Sequence, residues 1–401
     1  MKSATKRIWG AGLILTVAGV IGASVYDCRA PTISFTYRDL AVPDEVARSY
    51  DTLMRYRENG TNQLDIALPD PVLQLAATWT SLLPYAETIG TAWSGCIEGR
   101  KYIQDLDQFD FITDWNNPQG QSNPSRYASP DYETLRKITL LYALHSTLLI
   151  QQGRTEEGLR ELTQHYSVIR KSLPYATTLI TFAINMSCAK LDLQQADLLV
   201  RNTEWSPAQL QELRNAFARL TQEELSWYRP LLAEYIYSQH MVTMIRSENT
   251  ELDSELMYNL SRFKYATFKP NLTLQSFKQI YEPLINLCVQ RQDLQPKLAE
   301  VRHAAVRGSI LGKVWNPSGQ ALIAMMVPVW DNVYSKTLEL KTASDLLYLE
   351  IESRLGELPD LRDAYTGAAY RYNPELQRFY CVGPDGLDAT GDDLYINPPD
   401  A

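Results

Sequence analysis

Residues 129–173 read SPDYETLRKITLLYALHSTLLIQQGRTEEGLRELTQHYSVIRKSL, and their spacing sets the fold class. Ser129-Pro130-Asp131 supplies a cap and a first turn, after which Leu135, Ile138, Tyr142, His145 and Leu149 fall on one stripe at helical spacing. Gln152-Gly153-Arg154 interrupts the stripe. A second one, Leu159, Leu162, Tyr166, Ile169 and Leu173, then predicts the other arm of a helical hairpin.

Working toward the C-terminus, Tyr175 to Val200 is apolar nearly all round, as the central helix of a bundle would be. Ser206-Pro207-Ala208-Gln209 is a capping box with proline at the first helical position, opening a helix toward Leu225. Further helices are expected over Trp227–Ser247, Leu252–Phe263, Leu274–Val306 and Gly319–Leu355, the last with a kink at Pro328. Toward the N-terminus, Val42-Pro43-Asp44-Glu45 starts helical patterning after an extended stretch from Arg29 to Leu40, and Val72–Arg100 reads as one helix. Residues 102–130, with Asn116-Asn117-Pro118-Gln119-Gly120, read as a loop. The Gly153 turn resembles that of a tetratricopeptide hairpin, but no 34-residue period repeats, so the expectation is an antiparallel helical bundle, not a solenoid.

The first 26 residues differ from the rest. Lys2, Lys6 and Arg7 precede Ile8–Tyr26, nineteen residues without a charge. As a helix this run reaches roughly 28 Å, close to the hydrocarbon thickness of a bilayer. The basic flank predicts an inside N-terminus and an extracytoplasmic body behind a single span; the resemblance given below implies that the membrane is a bacterial inner membrane and the body periplasmic. Gly22-Ala23-Ser24 offers a cleavage site, but the apolar run is long for a signal peptide, and anchoring is the preferred reading.

Expected boundaries are thus 1–27 for leader and transmembrane signal anchor, 28–128 for an N-terminal helical region, 129–355 for the bundle, and 356–401 for a β-rich tail. A formal charge of -9 over 401 residues argues against a nucleic-acid partner, which needs a basic surplus. The five cysteines lie far apart and never form Cys-x-x-Cys, so isolated buried thiols are expected. Sequons at Asn59, Asn185, Asn259 and Asn271 matter only in a eukaryotic secretory pathway.

Signals for chemistry are few. Gly308–Val314 is one residue short of a phosphate loop and lacks its hydroxyl. The four histidines are too far apart for a helical metal pair, and His145, on an apolar stripe, reads as a hydrogen-bonded core histidine. Asp105, Asp107, Asp110 and Asp114 could pair carboxylates across a cleft, which is the basis of an alternative reading as a hydrolase of envelope glycan or peptide. In the tail, Asp385, Asp388, Asp392 and Asp393 lie within nine residues, with Gly386 and Gly391 between them and Gly383 just before, a set of hard oxygen donors suited to Ca²⁺.

Asp363-Ala364-Tyr365-Thr366-Gly367, with Arg378-Phe379-Tyr380-Cys381-Val382-Gly383-Pro384-Asp385-Gly386, resembles the C-terminal signature of type II secretion major pseudopilins. That resemblance covers about 40 residues and implies a turn, a strand and a calcium-binding loop. Ala364 departs from the family's proline, and no glutamate follows Gly10-Ala11-Gly12 as a pseudopilin leader requires. The whole chain is closer to membrane-anchored helical envelope proteins of bacteria that share this tail, the Gln152–Arg154 turn and an Asn-Pro-x-Gly-x-x-Leu stretch at 316–322, a group that carries no assigned activity. The expected role is therefore a non-enzymatic scaffold or interaction protein in contact with the membrane and a protein partner. An accessory of a type II secretion or pilus assembly is a further alternative.

Overall fold

A computed structural model describes residues 29–32, 34–58, 66, 68–114, 132–247, 268–307, 316–387 and 393–397. The protein is mainly helical. Its α-helices are α1 (Asp44–Glu58), α2 (Asp70–Gln74), α3 (Ala86–Gly95), α4 (Ile97–Asp107), α5 (Tyr132–Gln151), α6 (Thr155–Ser172), α7 (Leu179–Asn202), α8 (Pro207–Ala216), α9 (Tyr228–Ser247), α10 (Pro270–Val289), α11 (Gln295–Arg307) and α12 (Pro317–Leu355). Strands β1 (Arg371–Asn373) and β2 (Arg378–Tyr380) follow. The described residues group into a smaller unit, 29–40 with 231–332, and a larger one, 41–114 with 132–230 and 333–397.

The larger unit is built on the predicted hairpin. Every residue of the α6 stripe is buried, and so is the α5 stripe except His145, which is partly exposed. His145 faces Glu161 while Thr139 faces His165, so contacts descend along one helix as they climb the other and the pair is antiparallel. Gly153 makes the turn at φ +82°, with Arg154 N–H bonded to Leu149 O at 2.8 Å. Close approach of the helices depends on Gly158, where an added Cβ would lie 2.5 Å from the Ser146 carbonyl oxygen. Helix α7 packs on both arms and buries sixteen of its 24 residues, as its nearly all-round apolar character implied. Thr178 caps it by accepting from Thr181 N–H, and the capping box of Ser206 and Gln209 opens α8 as read from the sequence.

The tail belongs to this unit. β1 and β2 form an antiparallel ladder pairing Arg371 with Tyr380 and Asn373 with Arg378. Asn397 donates to Asp197 Oδ2 at 2.9 Å and to Gln194 O at 3.0 Å, and Gln194 donates to Ile396 O. Asp197 and Glu350 share Arg201, and Tyr370 donates to Asp345, which also pairs with Arg219 and Lys341.

In the smaller unit, Tyr281 is fully buried, stacked on Tyr235 with ring centroids 5.4 Å apart and edge-on to Trp330 at 5.0 Å. The Asn-Pro-x-Gly stretch acts at the start of α12. Buried Asn316 accepts from Lys269 N–H at 2.8 Å and donates to Thr273 Oγ1 at 3.0 Å, and Gly319 leaves room for both side chains.

Several sequence expectations need correction. Residues 72–100 are not one helix: α2 ends at Gln74, two short 3-10 turns follow, and α3 and α4 are separated at Cys96. Pro84 at the second of those turns removes a backbone donor that a continuous helix would use. The 274–306 helix is two, because Arg291 adopts φ +55° and Asp293 accepts from Gln295 N–H to start α11. Residues 102–107, read as loop, extend α4. Helix α8 ends at Ala216, well short of Leu225, and Tyr37–Leu40 is a 3-10 turn in the stretch read as extended.

Cys96, Cys188, Cys288 and Cys381 are free thiols, with Cys288 alone partly exposed. Asn185 is buried within α7 and cannot accept a glycan. The anchor at 1–27, the helix expected at 252–263 and the cap at Ser129 lie outside the described residues. Among the described residues no helix is long and apolar enough to cross a membrane.

Candidate functional site

The four aspartates of the acidic segment go to different places. Asp105, on α4, accepts from the Tyr56 hydroxyl at 2.7 Å. Asp107, at the end of α4, is held by Lys171 Nζ at 3.0 Å and by Gln164 at 3.2 Å. Asp110 is exposed. Asp114 is buried and accepts from Thr177 N–H at 2.9 Å. Only Asp107 and Asp110 reach a common surface, an open groove of about 690 Å³.

That groove runs along α6. The helix presents Arg160, Thr163, Gln164, Ser167, Arg170 and Lys171, spaced so that the face opposite its buried stripe lines one wall. Asp107, Asp110 and Phe111 form a second wall, fixed by Ile112 N–H donating to Lys171 O at 3.1 Å. Asn215, Ala216 and Glu224 close the far side.

Most of the groove's charge is already engaged. Arg170 forms a two-pronged pair with Glu224 at 2.5 and 3.1 Å and donates to Ala218 O at 2.6 Å. Burial alone would raise the Glu224 pKa, but hydrogen bonds from Arg170 and Thr221 outweigh it and hold the carboxyl below the usual range. Lys171 bonds both the carboxylate and the carbonyl oxygen of Asp107. Arg160 and Asp110 stay exposed, and Phe111, 43% exposed, leans on Tyr175. Three cations face three acids, so the groove has no net preference for an anion or a cation. Its walls combine hydroxyls, amides and an exposed ring, which suits a ligand with both donors and acceptors, such as an extended peptide.

His145 is hydrogen-bonded, as its stripe position implied. Its Nδ1 lies 2.6 Å from Glu161, and its ring stacks on Trp93 at 4.1 Å. A second histidine network, which no local sequence pattern announces, lies in the core. His165 Nδ1 lies 2.8 Å from Asp192 Oδ2, and its Nε2 lies 3.4 Å from Thr139 Oγ1. The order of groups resembles a nucleophile, base and acid, yet all three are fully buried and the Thr139 hydroxyl is already bonded to Leu135 O. This geometry links polar groups of α5, α6 and α7 inside the core, with Asp192 Oδ1 left without a hydrogen-bond partner. Burial, opposed by His165, raises the Asp192 pKa, and burial pushes the nearby Cys188 thiol up to about 12, which disfavours its thiolate.

In the tail, Cys381 and Leu394 exchange backbone hydrogen bonds at 3.0 and 2.8 Å, which closes the base of the loop carrying the predicted calcium ligands. Asp385 Oδ1 accepts from Leu387 N–H. Asp363 organises the companion turn by accepting from the Tyr365 and Thr366 amides at 2.8 and 2.7 Å. Asp385 and Asp393 are described, whereas Asp388 and Asp392 lie outside the described residues. Among the described residues no three metal-binding side chains come together.

Compared with known proteins, the chain matches no family model, no curated protein and no solved structure.

Proposed function

We propose that this chain is a membrane-anchored helical scaffold without catalytic activity, held in the bacterial inner membrane by residues 1–27. Its larger unit engages an extended segment of a protein partner on the periplasmic side. The observation that carries this reading is the groove along α6, where internally paired charges leave amide, hydroxyl and aromatic groups to meet a polypeptide. A backbone needs donors and acceptors together, and fixed ion pairs limit the ordering cost of binding. The test is a photocrosslinking residue at Thr163 of the full chain in its native membrane, with a second at Lys297 as control. A discrete protein adduct at position 163 alone, lost with Phe111→Asp and Asp110→Arg, is the expected result. An adduct that survives both substitutions, or none at 163, removes the groove as the docking site.

The tail resemblance makes a component of a type II secretion or pilus assembly the partner of choice, and co-purification from detergent-solubilised membranes tests that. On the same reading Asp385, Asp388, Asp392 and Asp393 hold a Ca²⁺ ion that braces the loop above the Cys381–Leu394 bridge. Titration calorimetry of the full chain against Asp388→Ala/Asp392→Ala should show a calcium heat in the wild type only. Equal heats would remove the site.

A further inference from the structure

The stretch 110–114 that walls the groove ends with a carboxylate turned into the protein. Asp114 is 5% exposed; its Oδ1 accepts from Thr177 N–H, but its Oδ2 is buried with no hydrogen-bond partner. Buried carboxylate oxygens are rarely left unbonded, because water would otherwise solvate them. Burial raises the Asp114 pKa, against the opposing pull of Thr177, Thr181 and Arg229.

Beside this carboxyl lies a cavity of about 30 Å³. Its polar lining is Asp114, Ser172, Thr181 and Asn185 with the hydroxyl-bearing Tyr102, and the remaining side chains, including Leu135 and Ile169, are apolar. Thr181 and Asn185 stand one helical turn apart on α7, both 6% exposed, so their side chains point to the same side as the cavity. A space of this size takes one water, and a water is stable only where two to four polar partners surround it. Those partners are present here.

We infer that this cavity binds one internal water molecule, which donates to Asp114 Oδ2 and is shared with Asn185 and Thr181. The water ties the groove's second wall to α7. It gives Oδ2 a hydrogen-bond partner, and it makes the placement of Asp110 and Phe111 depend on a buried solvent site four and three residues away.

Two measurements on the full chain test it. Crystals of the detergent-solubilised protein should show a solvent atom within hydrogen-bond distance of Oδ2 and should exclude xenon from the cavity. An empty cavity that takes up xenon overturns the inference, since xenon fills dry apolar spaces. Oxygen-17 relaxation dispersion counts long-lived waters in solution, and Asn185→Leu, which fills the space, should show one fewer; an unchanged count is a refutation. Should that variant fail to fold, Thr181→Val keeps the volume and removes one partner. It is then expected to speed exchange of the water roughly five- to tenfold, and unchanged exchange counts against the site.

Discussion

Replacing glycine with alanine in a helix ordinarily stabilises it, and this protein should reverse that effect at one position while obeying it at another. At Gly158 on α6, an added Cβ would sit 2.5 Å from the Ser146 carbonyl oxygen and 2.7 Å from Ile150 Cγ1. A carbon to oxygen contact rests at about 3.3 Å or more, so α5 and α6 must separate by roughly 0.8 Å. Ile150 can shift, but the oxygen belongs to the backbone of α5 and cannot move alone. Overpacking of this kind costs about 1–3 kcal/mol, and the helix gains about 1 kcal/mol from losing glycine. The expected net loss is up to about 2 kcal/mol. At Gly90 on α3 nothing lies within 4 Å of the added carbon, so Gly90→Ala should gain about 0.5–1 kcal/mol. In thermal unfolding of the full chain, followed by far-ultraviolet circular dichroism, Gly158→Ala should lower Tm by up to about 8 °C and Gly90→Ala should raise it by up to about 4 °C. Shifts of the same sign for both variants would refute the claim that helix approach is set by the missing side chain.

Other expectations rest on single contacts. Asn316→Ala strips the buried Lys269 N–H of its acceptor and should cost about 1–3 kcal/mol in denaturant titrations, with Asn316→Asp recovering part of it. Glu224→Gln breaks the pair with Arg170 and should cost about 1–3 kcal/mol at neutral pH. Because the folded pKa of Glu224 is depressed, the gap between wild type and variant should be full above the ordinary glutamate value of about 4.3 and close as pH falls through the lower folded value. A gap that persists in acid would show that packing, not charge, carries the contact. Asn397→Ala removes two of the three hydrogen bonds that tie residues 396–397 to α7, leaving the one from Gln194 to Ile396 O, so limited proteolysis should cut the tail faster while residues 132–230 stay resistant; an unchanged cleavage pattern would assign the tail's attachment to other contacts.

The core was legible where pattern and punctuation agreed. The stripes of α5 and α6, the Gly153 turn and the Ser206 capping box each have a local cause, and each occurs at the residues that announce it. The break between α10 and α11 was hidden because Arg291, a residue with good helix propensity, takes a left-handed conformation that only its surroundings enforce. The α3 and α4 region was misread because its apolar residues keep helical spacing across two 3-10 turns. At the candidate site the acidic segment drew attention for its composition, yet the groove needs Arg170 beside Glu224 and Lys171 beside Asp107, partners 54 and 64 residues apart. No local pattern encodes such pairings. The His165 and Asp192 pair was invisible for the same reason, since the two meet only when α6 lies on α7.

The hydrogen bond between Asn397 and Asp197 spans 200 positions of the chain. A ribosome adding about 5–20 residues per second reaches Asn397 roughly 10–40 s after Asp197. Throughout that interval the nascent bundle holds an incompletely partnered acid on a surface that will later be sealed. Sealing of this surface is therefore timed by translation, since Asp197 gains the Asn397 partner only after the 200 residues between them have been made.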